Sequence, residues 1–238
     1  MIYGEILAGG KGTRMGNLDM PKQFLTLQGK PIIIHTIEKF ILNSRFDKIL
    51  VATPKEWIHH TNDIISKWIG TEERIVVIQG GADRNETIMN GVRFIAETYG
   101  LCEEDVIVTH DAVRPFVTHR ILQENIDAAL EYGAVDTAIP AFDTIIEVGE
   151  NGLITDIPIR DKMFQGQTPQ SFNVKRLMEV YEGITPEQKA ILTDACKMFV
   201  LRGHQVKVIR GEVFNGKITT PYDLKTAEAL FEDKRVTK

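Results

Sequence analysis

The stretch LAGGKGTRMGNLDMPKQFL, residues 7–25, follows the apolar run Ile2–Leu7 and holds four glycines. A strand that breaks into such a turn predicts an anion-binding loop, because glycines let backbone N–H groups approach a phosphate closely. Lys11, Arg14 and Lys22 strengthen this interpretation, since three cations can surround a polyphosphate. We therefore interpret the stretch as the phosphate-binding loop of an α/β protein.

The glycine spacing excludes the two commonest phosphate-binding motifs. The dinucleotide fingerprint requires G-x-G-x-x-G, but the glycine after Gly12 is Gly16, one position too late. A P-loop requires Lys-Ser or Lys-Thr after its last glycine, and no glycine of this stretch has that continuation. A nicotinamide-dependent dehydrogenase on a Rossmann fold is accordingly a remote alternative.

Apolar runs and helical periodicities alternate along the chain. The predicted strands are residues 2–7, 48–53, 74–79, 105–111, 134–139 and 205–209. Helices are predicted over residues 31–44, 55–69, 118–132, 173–182 and 186–200, and a further helix contains Ile88, Val92 and Ile95. A last helix is predicted to begin at Pro221, with Thr219 or Thr220 as its N-cap. The alternation predicts an α/β fold, a Rossmann-like, mostly parallel twisted sheet flanked by helices. Its ligands should bind after Leu7, Gln79 and Val108, at the carboxyl ends of the strands.

The alternation breaks at residues 140–166. The segment DTIIEVGENGLITDIP predicts two extended runs around a turn at residues 149–152. A hairpin of this size cannot fold alone, so it must pack on its own body or on a partner. We interpret residues 140–166 as a β-hairpin arm inserted in one domain that spans residues 1–238, and we expect the arm to form a homodimer.

Composition and charge narrow the function. The chain has 238 residues, 43% of them hydrophobic, which is typical of a globular protein. A net charge of −5 disfavours a nucleic-acid-coating protein but is compatible with a nucleotide ligand. Cys102 and Cys196 show no zinc spacing, and neither a signal peptide nor a membrane span is predicted. We expect a cytoplasmic protein without nucleic-acid binding or membrane insertion.

The loop and six further motifs resemble the sugar-phosphate and polyol-phosphate cytidylyltransferases. The further motifs are GGADRNETIMNG (80–91), HDAVRPF (110–116), DT (143–144), QTPQSF (167–172), LTDA (192–195) and NGKITTPYDL (215–224). The LAGG opening and Val113 favour the ribitol-5-phosphate branch of teichoic acid synthesis. This resemblance implies transfer of CMP from CTP to ribitol 5-phosphate, giving CDP-ribitol and pyrophosphate. The 2-C-methyl-D-erythritol 4-phosphate (MEP) branch of isoprenoid synthesis is the alternative.

The reaction of this family requires cationic side chains that neutralise the phosphates and hold the two substrates in position. A phosphate monoester is largely a dianion at neutral pH, so its attack on CTP requires no general base. The resemblance implies that Arg14 and Lys22 stabilise the transition state, while Arg160 and Lys217 hold the phosphate of the second substrate. If residues 140–166 form a dimer arm, Arg160 is expected to enter the site of the neighbouring subunit. A catalytically dead nucleotide sensor is disfavoured because all four cations are present.

Three loops are implied to bind CTP. The implied residues are Leu7, Ala8, Gly9, Gly10 and Lys11 in the first loop, Gly81, Ala82, Arg84 and Thr87 in the second, and Asp111 and Arg114 in the third. Gly81 and Ala82 would contact cytosine through backbone groups, and Thr87 would do so through its hydroxyl. Asp111 would ligate Mg²⁺ or a hydroxyl group, and Arg114 would either contact the phosphates or hold the loop by a salt bridge. Mg²⁺ is expected because it neutralises triphosphate oxygens. His110 is expected to be structural, and a ribulose-5-phosphate reductase is an expected partner.

Overall fold

The computed structural model describes residues 1–10, 20–192 and 194–232. The strands are β1 Ile2–Leu7, β2 Thr26–Leu27, β3 Lys30–Pro31, β4 Lys48–Thr53, β5 Ile75–Gln79, β6 Val106–Asp111, β7 Ala134–Pro140, β8 Glu147–Val148, β9 Ile154–Asp156, β10 Phe164–Asn173 and β11 Lys207–Arg210. The helices are α1 Ile32–Ile41, α2 Ile58–Trp68, α3 Arg84–Tyr99, α4 His119–Tyr132, α5 Val174–Glu182, α6 Pro186–Ala190, α7 Ala195–Leu201 and α8 Pro221–Glu232. Within these described ranges, no helix is long and apolar enough to cross a membrane.

Seven strands form one sheet in the order β11-β7-β10-β6-β1-β4-β5. All neighbouring pairs are parallel except those of β10, which runs antiparallel to both β6 and β7. The chain leaves β1 for β4 and β5 and then returns to β6 on the other side of β1. The junction of β1 and β6 is therefore the topological switch point, where such sheets bind ligands. The predicted fold class, a mostly parallel sheet flanked by helices, is confirmed.

Apolar clusters cover both faces of the sheet. One cluster packs α1, α2 and α4 against residues that include Ile6 and Val108. The other packs α3, α5 and α7 against residues that include Leu7 and Ile107. Neighbouring strand residues belong to different clusters because their side chains point to opposite faces. Strands that are buried on both faces need a continuous run of apolar residues, and such runs predict these strands well.

The structure differs from the prediction at two places. Strand β10 is not predicted, because its residue Pro169 lacks an N–H donor and is atypical of a central strand. The register of β10 against β7 shifts between Gly166 and Gln170, and this bulge accommodates the proline. The helix predicted over residues 186–200 is wrong as a single helix, since α6 ends before Asp194, which N-caps α7 by accepting a hydrogen bond from the backbone N–H of Cys196. Thr220 caps α8 as predicted, accepting from the N–H of Asp223 at 3.3 Å.

The predicted hairpin in the arm is confirmed as β8 and β9. The arm continues the ladder between β7 and β10, in which Pro140 pairs with Phe164 and the N–H of Ala141 donates to the carbonyl of Met163. Because β7 runs parallel to β1 and β6, the arm leaves the sheet at its ligand-binding edge. Large apolar side chains on the arm are 48–65% exposed, namely Phe142, Ile146, Val148, Leu153, Ile154, Ile157, Ile159 and Phe164.

Candidate active site

A cleft of about 520 Å³ opens at the switch point. Sheet register brings its two sides together, because Leu7 at the end of β1 pairs with Asp111 at the end of β6. Predicted site residues that line the cleft are Leu7, Ala8, Gly9, Gly10, Lys22, Gly81, Ala82, Arg84, Thr87, Asp111 and Lys217. The three loops predicted to meet at this edge of the sheet therefore do so.

The remaining predicted residues lie elsewhere. Lys11 and Arg14 are outside the described residues. Arg114 lies behind Asp111, and Arg160 begins a short 3₁₀ turn of the arm, Arg160–Lys162. The catalytic and binding roles implied for the residues that line the cleft and for those outside it stay predictions.

Three cationic side chains surround the carboxylate of Asp111. Its Oδ2 lies 3.0 Å from Nζ of Lys217 and 3.2 Å from Nε of Arg114, and its Oδ1 lies 3.8 Å from Nε of Arg84. Burial alone would raise the pKa of this carboxyl, but the charges of Arg84, Lys217 and Arg114 outweigh burial and hold the pKa well below its usual value. Asp111 therefore stays ionised and fixes the positions of these cations.

Hydrogen bonds from three chain segments support Asp111. Its N–H donates to Oγ1 of Thr168 in the bulge of β10 (3.1 Å), and Nη1 of Arg114 donates to the carbonyl of Asn215 (2.8 Å). Nδ2 of the fully buried Asn215 donates in turn to the carbonyl of Thr168 (2.8 Å). Strand β6, the bulge and the segment before α8 are thus joined around one carboxylate. Sequence reasoning assigned no role to Thr168 and Asn215, although both lie in motifs that carry the resemblance.

His110 is buried and serves this network. Its Nε2 lies 3.0 Å from the carbonyl of Arg114, which can only accept, so Nε2 carries the proton. Its Nδ1 then accepts from the hydroxyl of Thr168 at 2.9 Å. Burial lowers the pKa of His110 to about 4, so the imidazole is neutral at physiological pH. Both nitrogens are engaged within the protein, in agreement with the structural role expected from the sequence.

The first loop is supported by the segment that follows Pro21. Gln23 is buried, and its Nε2 donates to the carbonyl of Ala8. Lys22 is only 7% exposed, and its Cε lies 4.0 Å from where a Cβ would stand on Gly10. The Lys22 side chain therefore lies against the glycine turn, where a bound triphosphate is predicted. Gln23 is a support that sequence reasoning missed.

The second loop is rigid by its own contacts. The hydroxyl of Thr87 accepts from the N–H of Gly81 (3.0 Å) and donates to the carbonyl of Asp83 (2.7 Å), and the N–H of Ala82 donates to Oε2 of Glu86 (2.8 Å). A Cβ on Gly81 would lie 2.6 Å from Glu86, so this close approach requires glycine. Both backbone donors are therefore engaged internally, and the predicted backbone contact with cytosine would use the carbonyl oxygens of Gly81 and Ala82.

Comparisons with known proteins identify the family of this chain. A family model described as 2-C-methyl-D-erythritol 4-phosphate cytidylyltransferase matches residues 3–233. Ribitol-5-phosphate cytidylyltransferase of Lactiplantibacillus plantarum is 59% identical over 234 residues, which are 98% of this chain and 100% of that protein. The solved 4-diphosphocytidyl-2C-methyl-D-erythritol synthase of Anaerococcus prevotii has a TM-score of 0.80 and 26% identity, covering 97% of this chain and 96% of its own. The MEP cytidylyltransferase of Francisella tularensis has a TM-score of 0.79 and 29% identity, covering 96% of this chain and 98% of its own.

The glycine loop and the cationic side chains at the switch point of the sheet are suited to a phosphorylated ligand, and the comparisons give the class of the protein as a nucleotidyltransferase. The chain belongs to the 2-C-methyl-D-erythritol 4-phosphate cytidylyltransferase family. The resemblance drawn from the motifs is thereby confirmed.

Proposed function

We propose that this protein transfers CMP from CTP to ribitol 5-phosphate and thereby supplies CDP-ribitol for teichoic acid synthesis. One observation carries the proposal: a single cleft holds the glycine loop with Lys22 and also the ion pair of Lys217 with Asp111. A triphosphate and a second phosphate can therefore lie side by side. The choice of ribitol 5-phosphate is supported by the relative of that name, which is 59% identical over nearly the whole chain.

The proposed reaction is a direct displacement. An oxygen of the ribitol phosphate attacks the α-phosphorus of CTP, a new P–O bond forms, and the bond to the bridging oxygen breaks to release pyrophosphate. His110 is neutral and hydrogen-bonded at both nitrogens, so no general base is assigned to it. The buried ammonium of Lys22, together with Arg14, stabilises the charge that develops on the α-phosphate.

The second phosphate is assigned to Lys217. Its ammonium is held at 3.0 Å from Asp111, and its side chain remains 37% exposed toward the cleft. A lysine held by a carboxylate is preorganised for a phosphate dianion, because little side-chain entropy is lost when the phosphate binds.

The arm completes the proposed site in a homodimer. Its exposed apolar side chains need a cover, and an interface between two copies buries such a surface. The arm leaves the sheet at the edge that holds the cleft, and it carries Arg160 in the turn after β9. We assign Arg160 to the phosphate site of the neighbouring subunit, where its guanidinium can grip two phosphate oxygens.

Mg²⁺ is proposed to enter the site bound to CTP, as the counter-ion of the triphosphate. Asp111 Oδ2 already faces Lys217 and Arg114, which makes this carboxylate a poor candidate for a direct metal ligand. Mg²⁺ prefers oxygen ligands and retains water, so triphosphate oxygens and water suffice to hold it. Bound in this way, it would neutralise negative charge on the triphosphate.

Two cellular expectations follow from the proposed reaction. Ribitol 5-phosphate is an alditol phosphate, and reduction of the carbonyl of a pentulose phosphate is one reaction that supplies it. A ribulose-5-phosphate reductase is therefore the proposed upstream partner. We place both enzymes in the cytoplasm, where CTP is available.

The direct test measures pyrophosphate release from CTP and Mg²⁺, with ribitol 5-phosphate and MEP supplied in parallel. Turnover of ribitol 5-phosphate at least 100-fold more efficient than that of MEP is expected, and a Lys217→Ala preparation controls for contaminating activity. The family description and both solved structures name the MEP reaction, so MEP is the second candidate. Preference for MEP would overturn the ribitol assignment and keep the roles of the cations.

A further inference from the structure

The loop between β5 and α3 lines the cleft with Gly81 and Ala82, and the half-buried side chain of Glu86 supports it. Glu86 stands in the first turn of α3, where its N–H donates to Oδ1 of the N-cap Asp83 at 2.8 Å. Its Oε2 accepts from the N–H of Ala82, also at 2.8 Å. Glu86 therefore connects the helix to the loop, although it is not one of the described residues that line the cleft.

The hydrogen bond of Glu86 differs from the usual one at the start of a helix. A glutamate or glutamine at the third helical position closes a capping box when its side chain accepts from the N–H of the N-cap residue. Gln188 does so in α6, where its Oε1 accepts from the N–H of the N-cap Thr185 at 3.0 Å. Glu86 has the corresponding position in α3, but it accepts from Ala82, one residue before the N-cap. Its bond therefore holds the loop rather than the end of the helix.

This bond fixes the orientation of the peptide group that joins Gly81 to Ala82. The peptide is trans, so its N–H and its carbonyl point in opposite directions, and the carbonyl of Gly81 points away from Glu86. The backbone alone does not impose this orientation, because a glycine without Cβ adopts a wide range of conformations. The Glu86 side chain thus determines which group of this peptide, carbonyl or N–H, is presented on the side away from α3.

A peptide group of fixed orientation can distinguish two pyrimidine bases. The 4-amino group of cytosine donates to a carbonyl oxygen, whereas uracil carries an oxygen at the same position, which a carbonyl repels. If the peptide turned over, the N–H of Ala82 would be presented instead and would donate to the oxygen of uracil. The orientation of the peptide between Gly81 and Ala82 can therefore decide between CTP and UTP.

We propose that Glu86 is a positioning residue for base selection, whose bond to the N–H of Ala82 keeps the carbonyl of Gly81 directed at the 4-amino group of cytosine. This inference deepens the proposed function, on which it rests for the use of CTP and for a base bound at this loop. Glu86 acts through the peptide group and does not touch the base. The role requires an acceptor oxygen, which glutamine also provides.

Affinities for CTP and UTP test the role without the second substrate. Calorimetric titrations with each nucleotide and Mg²⁺ would compare the unsubstituted protein with Glu86→Met, Glu86→Ala and Glu86→Gln. Methionine keeps the length of the side chain but lacks the acceptor, so the preference for CTP over UTP should fall by about tenfold or more. Glu86→Ala should give a similar fall, and Glu86→Gln should retain the preference within about threefold.

The matched control is Gln188→Ala, which removes the corresponding side chain from the capping box of α6. It should leave the preference for CTP unchanged, because its hydrogen bond lies within the helix terminus. Urea unfolding of every variant would separate a loss of stability from a change in base selection. A merely structural role of Glu86 would lower stability and leave the ratio of the two affinities as it was.

Each outcome decides the proposal. An unchanged ratio of CTP to UTP affinity in Glu86→Met and Glu86→Ala would overturn it, whether or not both affinities fall together. An equal fall of the ratio in Glu86→Gln and Glu86→Met would also overturn it, because the acceptor oxygen would then be irrelevant. An unsubstituted protein that binds UTP as tightly as CTP would instead overturn the use of CTP in the proposed function, so the two failures are distinguishable.

Discussion

The cleft and the arm hold their functional cations in different ways. In the cleft, Asp111 is 6% exposed and positions Arg84, Arg114 and Lys217, so this side of the site is built within one chain. On the arm, Arg160 sits in a short turn among apolar side chains that are about half exposed. The comparison teaches that the cations of the cleft are already positioned within one chain, whereas Arg160 on the arm depends on the proposed second copy for its surroundings.

The largest effect is expected in the cleft, at Lys22. Lys22→Ala should lower kcat by about 10²- to 10³-fold and raise KM for CTP much less, because the ammonium acts mainly on charge that develops in the transition state. Lys55→Ala is the matched control, since Lys55 also follows a proline and begins a 3₁₀ helix but is exposed. Steady-state kinetics of pyrophosphate release would check this, and a kcat within threefold of the unsubstituted enzyme would refute the role.

The sharpest test of the comparison mixes two inactive variants. Arg160→Ala and Lys217→Ala should each lower kcat/KM by about 10²-fold, because each removes a charged contact to the same phosphate. If Arg160 acts on the neighbouring subunit, a mixed dimer contains one intact site. An equal mixture should then recover about a quarter of the original activity after subunit exchange. No recovery, despite mixed dimers verified by mass spectrometry, would mean that each chain uses its own arginine.

A smaller effect is expected from the apolar side chains of the arm. Ile154→Glu combined with Ile157→Glu should convert the dimer to monomer and lower activity about tenfold or more, because carboxylates at an apolar interface are desolvated without partners. Leu42→Glu is the control, since Leu42 is 76% exposed on the body of the protein. Light scattering coupled to size exclusion would measure the mass. An active monomer would contradict the assignment of the arm.

The last expected effect concerns stability and its dependence on pH rather than activity. The folded-state pKa of His110 is lowered to about 4, below the unfolded value of about 6.5, so the unfolded chain binds more protons between these values. Stability should therefore be full above pH 6.5 and decrease as the pH falls toward 4, by about 2 kcal/mol between pH 7 and pH 5 from this group. Urea unfolding of the unsubstituted protein and His110→Gln would measure it. An equal pH dependence of the two proteins would exclude His110 as its source.

The sequence predicts the cleft better than its surroundings, for physical reasons. Strands buried on both faces need continuous apolar runs, so β1 and β4 match their predicted limits residue for residue. Their carboxyl ends then locate the cleft through a general property of parallel sheets. The support of Asp111 by Thr168 depends instead on a bulge beside Pro169, and no periodicity encodes the register between such distant segments.

Because β10 lies between β6 and β7, its position also determines the order in which the strands can pair while the chain is being synthesised. The neighbours of β7 in the sheet are β10 and β11, both of which follow it in the chain. A nascent chain that ends before Phe164 can therefore assemble β5-β4-β1-β6, with the edge of β6 open and β7 unpaired. The ribosome must deliver the whole arm before the second half of the sheet can close, so the segment proposed to join two subunits is exposed to solvent before its own subunit is complete.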